Sequence, residues 1–292
     1  MGGSMNRTAN RTTIRASAPE SYAAVGFHMP LRRMLRRASA TCGLLCAALA
    51  GAALAACAQA PQPQLREVFD RTVPLASGGS FALENVNGAV TVTGWDREAV
   101  EIRAVKTTSH AATDLLQVQI EVAAVPGRVA VDTVNPPDGG AEVNVAYSVR
   151  VPRRVLLQHV STVNGTVRVT GVESAGTLRS VNGDIEVLDS AGGFSAHTTN
   201  GNIQMELARL TAIAPLSAET VNGSIAVALP NDASATLDVR SLNGVFRSTL
   251  PVTFLGAYSP RELHGKLGGG AVAVRLHTVN GSIRLLPLPQ GL

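Results

Sequence analysis

Ser161-Thr-Val-Asn-Gly165 returns 18 residues later as Arg179-Ser-Val-Asn-Gly183. It returns again as His197-Thr-Thr-Asn-Gly201, Glu219-Thr-Val-Asn-Gly223, Arg240-Ser-Leu-Asn-Gly244 and His277-Thr-Val-Asn-Gly281. An upstream copy, Glu84-Asn-Val-Asn-Gly88, makes seven Asn-Gly pairs. An alternating run follows six of them: Ala89-Val-Thr-Val92, Thr166-Val-Arg-Val169, Asp184-Ile-Glu-Val187, Asn202-Ile-Gln-Met205, Ser224-Ile-Ala-Val227 and Ser282-Ile-Arg-Leu285. The asparagines from Asn164 to Asn280 are spaced by 18, 18, 22, 21 and 37 residues. A phrase copied at such intervals marks a repeat architecture.

Two architectures fit. Asn-Gly between alternating arms is a strong β-hairpin signal, which would give an antiparallel meander. Alternatively each copy is one coil of a parallel β-solenoid, with Asn164-Gly165, Asn182-Gly183, Asn200-Gly201, Asn222-Gly223, Asn243-Gly244 and Asn280-Gly281 at its corners. The solenoid explains more, because it puts like residues above like. The asparagines then form a hydrogen-bonded ladder and the Val/Ile positions an aliphatic stack. An aromatic content of 3% suits a narrow interior. The corner glycines are expected in a left-handed or otherwise positive-φ conformation, where a β-branched residue is costly. The fold class is therefore all-β: an N-terminal antiparallel β meander over 66–160 leads into a parallel β-solenoid (β-helix) of roughly 18–22-residue coils over 161–292. In the first region Val100-Glu-Ile-Arg-Ala-Val-Lys106, Leu116-Gln-Val-Gln-Ile-Glu-Val122 and Val143-Asn-Val-Ala-Tyr-Ser-Val-Arg-Val151 alternate as half-buried strands do. Thr108 to Leu115 reads as a short helix or a loop, and Asn87-Gly88 falls in this region.

The N-terminus explains the charge. The chain carries 25 basic and 21 acidic residues, with a pI near 9.3. Arg32, Arg33, Arg36 and Arg37 precede a short apolar run, Gly43 to Ala56, that ends in Leu54-Ala-Ala-Cys57. This is the three-part form of a secretory signal, too short to span a bilayer. Leu-Ala-Ala-Cys also resembles the lipobox of bacterial lipoproteins, which implies cleavage before Cys57 and lipidation of that residue. Residues 29–56 are read as the signal and 1–28 as an over-extended start, disordered and outside the fold. Residues 1–56 hold seven of the basic residues and one of the acidic, leaving 18 against 20. The basic character belongs to targeting, and nucleic acid is not an expected partner. Cys42 and Cys46 lie in the signal and Cys57 would carry lipid, so no disulfide is expected in the fold. Residues 57–65 form a lipidated cysteine and a Pro/Gln tether.

Chemistry is scarce. His28 lies upstream of the signal and His110 in the expected loop, while His159, His197 and His277 each shortly precede an Asn-Gly. His197 and His277 share a repeat slot, with the copies at Asn222 and Asn243 between them in sequence. Asp184 and Asp189 flank one strand, but the residue after Asn-Gly is Asp in one copy of seven, which makes no calcium repeat. Glu186, Glu206 and Glu219 sit at unlike offsets, so a paired-carboxylate glycan enzyme is the weaker alternative. Arg168, Arg179, Arg247, Arg275 and Arg284 read as a solvated outer face. No catalytic residue, cofactor or metal is expected. The repeat lapses at 251–270, an excursion whose Phe254, Tyr258, Arg261, His264 and Lys266 are the candidate binding loop.

Phe81-Ala-Leu-Glu84, Asn87-Gly-Ala-Val-Thr-Val92, Val149-Arg-Val-Pro152, Ile225-Ala-Val-Ala-Leu-Pro230 and the serial Val-Asn-Gly copies resemble the DUF4097 family of bacterial proteins named as adhesins from their repeats. The head GIN domain proteins are less similar. The resemblance covers roughly residues 66–286 and implies an N-terminal β region leading into a β-solenoid in an exported protein, with no catalytic residues to carry over. The expected function is that of a non-catalytic, lipid-anchored cell-envelope solenoid at the outer membrane or in the periplasm. It would be an adhesin or interaction scaffold whose partner is an envelope protein, a glycan or a sibling molecule through self-association. A carbohydrate-active enzyme and an accessory protein of envelope-stress signalling are the alternatives.

Overall fold

The computed structural model describes residues 64–136, 142–211, 214–255 and 259–289. The readings of the start segment, the signal, Cys57 and Tyr258 fall outside these residues, as does all of the tether but Gln64 and Leu65. Among the described residues no helix is long and apolar enough to cross a membrane.

In the repeats, each strand that ends at an asparagine lies in one sheet and each strand that follows the glycine lies in another. The chain climbs by crossing from sheet to sheet at every Asn-Gly. The pre-corner strands are β8 (Leu156–Asn164), β10 (Gly176–Asn182), β12 (Phe194–Asn200), β14 (Leu216–Asn222), β16 (Ala235–Asn243) and β20 (Val272–Asn280). The post-corner strands are β9 (Val167–Thr170), β11 (Ile185–Ala191), β13 (Ile203–Arg209), β15 (Ile225–Leu229), β17 (Phe246–Ser248) and β21 (Ile283–Pro287). Neighbours within each set pair in parallel, which makes this a solenoid and excludes the hairpin reading.

The N-terminal region joins the same two sheets. Its strands are β1 (Leu65–Pro74), β2 (Ser80–Glu84), β3 (Val90–Trp95), β4 (Ala99–Thr108), β5 (Gln119–Val125), β6 (Arg128–Val134) and β7 (Asn144–Pro152); α1 (Ala112–Gln117) starts in the segment expected as helix or loop and takes in Leu116 and Gln117, so the strand expected from Leu116 begins only at Gln119. The antiparallel pairing expected here links β1 with β4, β4 with β7, and β5 with β6. However, β2 and β3 pair in parallel with β8 and β9, so Asn87-Gly88 is a corner of the same stack. One sheet has ten strands, in the order β1-β4-β7-β3-β9-β11-β13-β15-β21-β17. The other has eleven: β18 (Thr253–Phe254), β19 (Glu262–Leu267), then β16-β20-β14-β12-β10-β8-β2-β6-β5.

Period two puts alternate side chains inside, and parallel register aligns them into columns. Val90, Val167, Ile185, Ile203, Ile225, Ile283 and Phe246 are successive register partners on the ten-stranded sheet, all buried. Each such side chain contributes roughly 1.5–3 kcal/mol by leaving water. Facing them, Leu83, Val160, Leu178, Ala196, Ala218, Leu276, Val239 and Leu263 form the matching column. Tyr147 crosses between the sheets: buried on β7, its hydroxyl lies 2.7 Å from Thr133 Oγ1 on β6. Burial pushes this phenol up to about 12. Under α1, Lys106 Nζ lies 3.3 Å from Glu67 and donates to the Leu115 carbonyl at 3.1 Å. This pair is buried, and those two donations spare it an unpaired charge.

The stacking order departs from chain order at one place. β20 sits between β14 and β16, and β21 between β15 and β17. The last coil of the chain is thus inserted beneath the one that precedes it. The excursion makes this geometrically feasible: β19 runs antiparallel along the outer edge of β16, and the chain then re-enters inside. One coil, not two, therefore separates His197 from His277.

Truncation after Gly270 removes an internal coil rather than a terminal one. The truncated chain is expected to lose its cooperative urea transition, monitored by far-UV circular dichroism. A sharp transition near the parent midpoint would show that β20 and β21 are dispensable.

Candidate functional site

The seven corner asparagines line up along one edge of the stack. Each amide donates to the carbonyl oxygen of the next: Asn164 to Asn87, Asn182 to Asn164, Asn200 to Asn182, Asn222 to Asn200, Asn280 to Asn222 and Asn243 to Asn280, every bond at 2.8 Å. The ladder anticipated from the repeat exists, with its last two rungs exchanged.

A second ladder runs beside it that the sequence reading missed. The Ser or Thr two residues before each asparagine is buried, and its hydroxyl donates to a neighbouring coil's glycine carbonyl. Thr162 donates to Gly88 at 3.0 Å, Ser180 to Gly165, Thr198 to Gly183 and Thr220 to Gly201 at 2.9 Å, Thr278 to Gly223 at 2.8 Å and Ser241 to Gly281 at 2.9 Å. In the first copy Asn85 takes this place and donates to Val145 O at 3.0 Å. The signal was present as a Ser or Thr two residues before the asparagine in six of the seven copies.

The glycine reading needs correction. Of the corner glycines only Gly88 (φ 128°) and Gly281 (φ 159°) have positive φ. What all seven share is closeness: a Cβ on Gly183 would lie 2.0 Å from Gly165 O, and one on Gly223 1.9 Å from Gly201 O. Glycine is required because backbone meets backbone, not because a left-handed turn is made.

The outer face of the eleven-stranded sheet carries coil-specific residues. Arg179, His197, Glu219, His277, Arg240 and Glu262 are successive register partners. His197 Nδ1 lies 3.6 Å from Glu219, and Arg240 Nε 3.4 Å from both Asp238 and Glu262. These exposed pairs are worth at most about 1 kcal/mol each. Among the described residues no three His, Cys, Asp or Glu are placed to hold a metal ion. Asp184 is spent on the frame, accepting from Asn202 N at 2.7 Å. Glu186 is held by Arg168 at 2.6 Å, and Glu206 shares its sheet, while Glu219 stands on the other. Arg179, Arg247, Arg275 and Arg284 are exposed, as is Arg168.

The excursion supplies the last two strands of the eleven-stranded sheet, β18 at its edge and β19 between β18 and β16. Phe254 is 49% exposed there. Arg261 and Lys266 are exposed, and His264 lies 3.4 Å from Glu262 and 3.7 Å from Asp238. At the corner opposite the asparagines, Trp95 stands among arginines. It had no repeat to single it out in the sequence.

A family model described as Toastrack DUF4097 matches residues 72–286. The chain belongs to the DUF4097 family. No curated protein sequence matches this DUF4097 chain. Among solved structures, it is similar to one described as a "putative cell adhesion protein" from Clostridium sporogenes, at 8% identity, covering 75% of this chain and 99% of that one, TM-score 0.45. It is also similar to a "putative adhesin" from Bacteroides fragilis, at 10% identity, covering 75% and 97%, TM-score 0.34.

In this DUF4097 chain, Thr198→Val keeps shape but leaves the Gly183 carbonyl without its buried donor. It is expected to cost about 1–3 kcal/mol. Gly201→Ala forces a Cβ to within 2.2 Å of Gly183 O and should cost at least as much. Thr198→Ser should stay near the parent. Urea denaturation of the three variants checks this; equal midpoints would remove the hydroxyl ladder from the account.

Proposed function

We propose that this DUF4097 protein is a non-catalytic, lipid-anchored scaffold of the cell envelope that works as an adhesin or interaction protein, at the outer membrane or in the periplasm. The observation that carries the reading is Leu54-Ala-Ala-Cys57 at the close of an apolar signal run, eight residues before β1 begins at Leu65. An extended tether of that length reaches at most roughly 25–30 Å, so β1 would stay near the membrane. The excursion lies beyond the opposite end of the stack. Ten strands at ~4.8 Å spacing carry it roughly 45 Å away. The repeated polar side chains support a non-catalytic role, because Asn, Ser and Thr are engaged in holding coil to coil. Arg261, His264, Lys266 and Phe254 at the far end form the proposed contact set for an envelope protein.

Two experiments test this. Cys57→Ser should abolish incorporation of an alkyne-tagged fatty acid and move the protein from the membrane to the soluble fraction. Labelling and membrane retention unchanged by the substitution would contradict the anchor. Separately, Arg261→Ala with Lys266→Ala should reduce partner recovery several-fold in cross-linked pull-downs from native envelopes, with no change in urea midpoint. Equal recovery removes the far end as the contact set.

A further inference from the structure

Between the turns at the corner opposite the asparagine ladder lies a cleft of about 470 Å³, and it holds the chain's one tryptophan. Trp95 closes β3. Its indole Nε1 donates to Ala99 O at 2.8 Å, which fixes the ring. Arg97 approaches the ring centroid at 5.1 Å and Arg150 at 5.9 Å. Beside the ring, Arg153 is locked from several sides. Its Nε donates to Asp96 Oδ1 at 2.8 Å, its Nη2 to Asp96 Oδ2 at 3.5 Å and its Nη1 to Gly171 O at 3.4 Å. Its own backbone N–H donates to Trp95 O, and Glu173 N–H donates to its carbonyl. The Asp96 carboxylate holds the guanidinium above its ordinary value. The solenoid's coil stacking thus positions a ring and a carboxylate–guanidinium fork side by side.

We propose that this cleft binds a neutral glycan chain. The C–H face of a pyranose ring stacks on the negative face of an indole. Its adjacent hydroxyls need planar, paired donors and acceptors, which the Arg153–Asp96 fork supplies in fixed geometry. Charge favours a neutral chain over a polyanion: Arg97, Arg153 and Arg154 are matched by Asp96, Glu98 and Glu173 in the lining. The site also continues. A second cleft of about 730 Å³ shares Arg154 and Glu173 with the first and runs on along the same corner past Arg209 to Ser234. A groove parallel to the stack accommodates several linked sugars. Arg97 is exposed and makes no ion pair among the described residues, so an incoming ring can take its place over the indole. The inference names a ligand class for the scaffold proposed above and rests on that reading only for where the glycan is met.

Because Trp95 is the sole tryptophan, its emission reports on the cleft without a label. The full chain, purified from whichever cell fraction holds it, is titrated with cellotetraose, chitotetraose, maltotetraose and mannotetraose, and with a uronate tetramer and polyphosphate. At least one neutral tetramer should change the emission saturably. By calorimetry that tetramer should bind Trp95→Ala at least tenfold more weakly, while Trp95→Tyr keeps affinity within a few-fold. Arg97→Ala, which clears the indole face and removes no ion pair, should bind that tetramer at least as tightly as the parent. Three results would each overturn the proposal: no neutral tetramer binding, binding confined to the polyanions, or Trp95→Ala binding as tightly as the parent. None of them depends on Cys57, so failure here and failure of the anchor are read separately.

Discussion

One steric constraint organises this structure: the backbone of each corner glycine sits against a backbone carbonyl of the coil beside it, a corner glycine's in six cases and that of Val145 for Gly88. A Cβ on any of the seven would fall within 1.9–2.2 Å of a carbonyl oxygen. That contact lets the coils approach to strand-pairing distance at the corner as well as along the sheets. Once they do, the carbonyls of Gly88, Gly165, Gly183, Gly201, Gly223 and Gly281 point at buried hydroxyls, and the asparagine amides fall into line outside them. The aliphatic columns inside follow from the same register. Packing, hydrogen bonding and backbone spacing therefore depend on one another, coil by coil, as in other stacked repeats.

Much of this was legible in the chain. Alternation after each glycine gave the post-corner strands, and the copied Asn gave the ladder, because both are local and periodic. Three things were not. The reason for glycine was read as turn geometry, since φ belongs to one residue while closeness belongs to two coils. The hydroxyl ladder was in plain view as Thr162, Ser180, Thr198, Thr220, Ser241 and Thr278, but its acceptor lies 15 to 74 residues away in the chain. The exchanged order of the last two coils left only a 37-residue gap, and a gap length does not say on which side of β16 the chain returns. The Trp95 cleft was hidden for a different reason: its parts come from separate turns that the repeat does not echo.

The division between frame and surface shapes the functional reading. Residues that recur are consumed within the stack, so recognition falls to residues that differ from coil to coil. These collect at the outer face of the eleven-stranded sheet, at the excursion and at the corner cleft. The stack ends also differ. β17 and β18 are three and two residues long, and short edges are one way sheets limit pairing with other chains. At the other ends, β1 has ten residues and β5 seven.

The stacking order is the central claim, because register, both ladders and the placement of the excursion all follow from it. With Cys42, Cys46 and Cys57 replaced by serine, paired cysteines at positions 219 and 277 occupy register partners on β14 and β20. Positions 219 and 240 lie two strands apart, roughly 10 Å, beyond disulfide reach. Mild oxidation followed by non-reducing electrophoresis should lock Glu219→Cys with His277→Cys and leave Glu219→Cys with Arg240→Cys open. Locking of the second pair instead would mean that the coils stack in chain order, and would contradict the account.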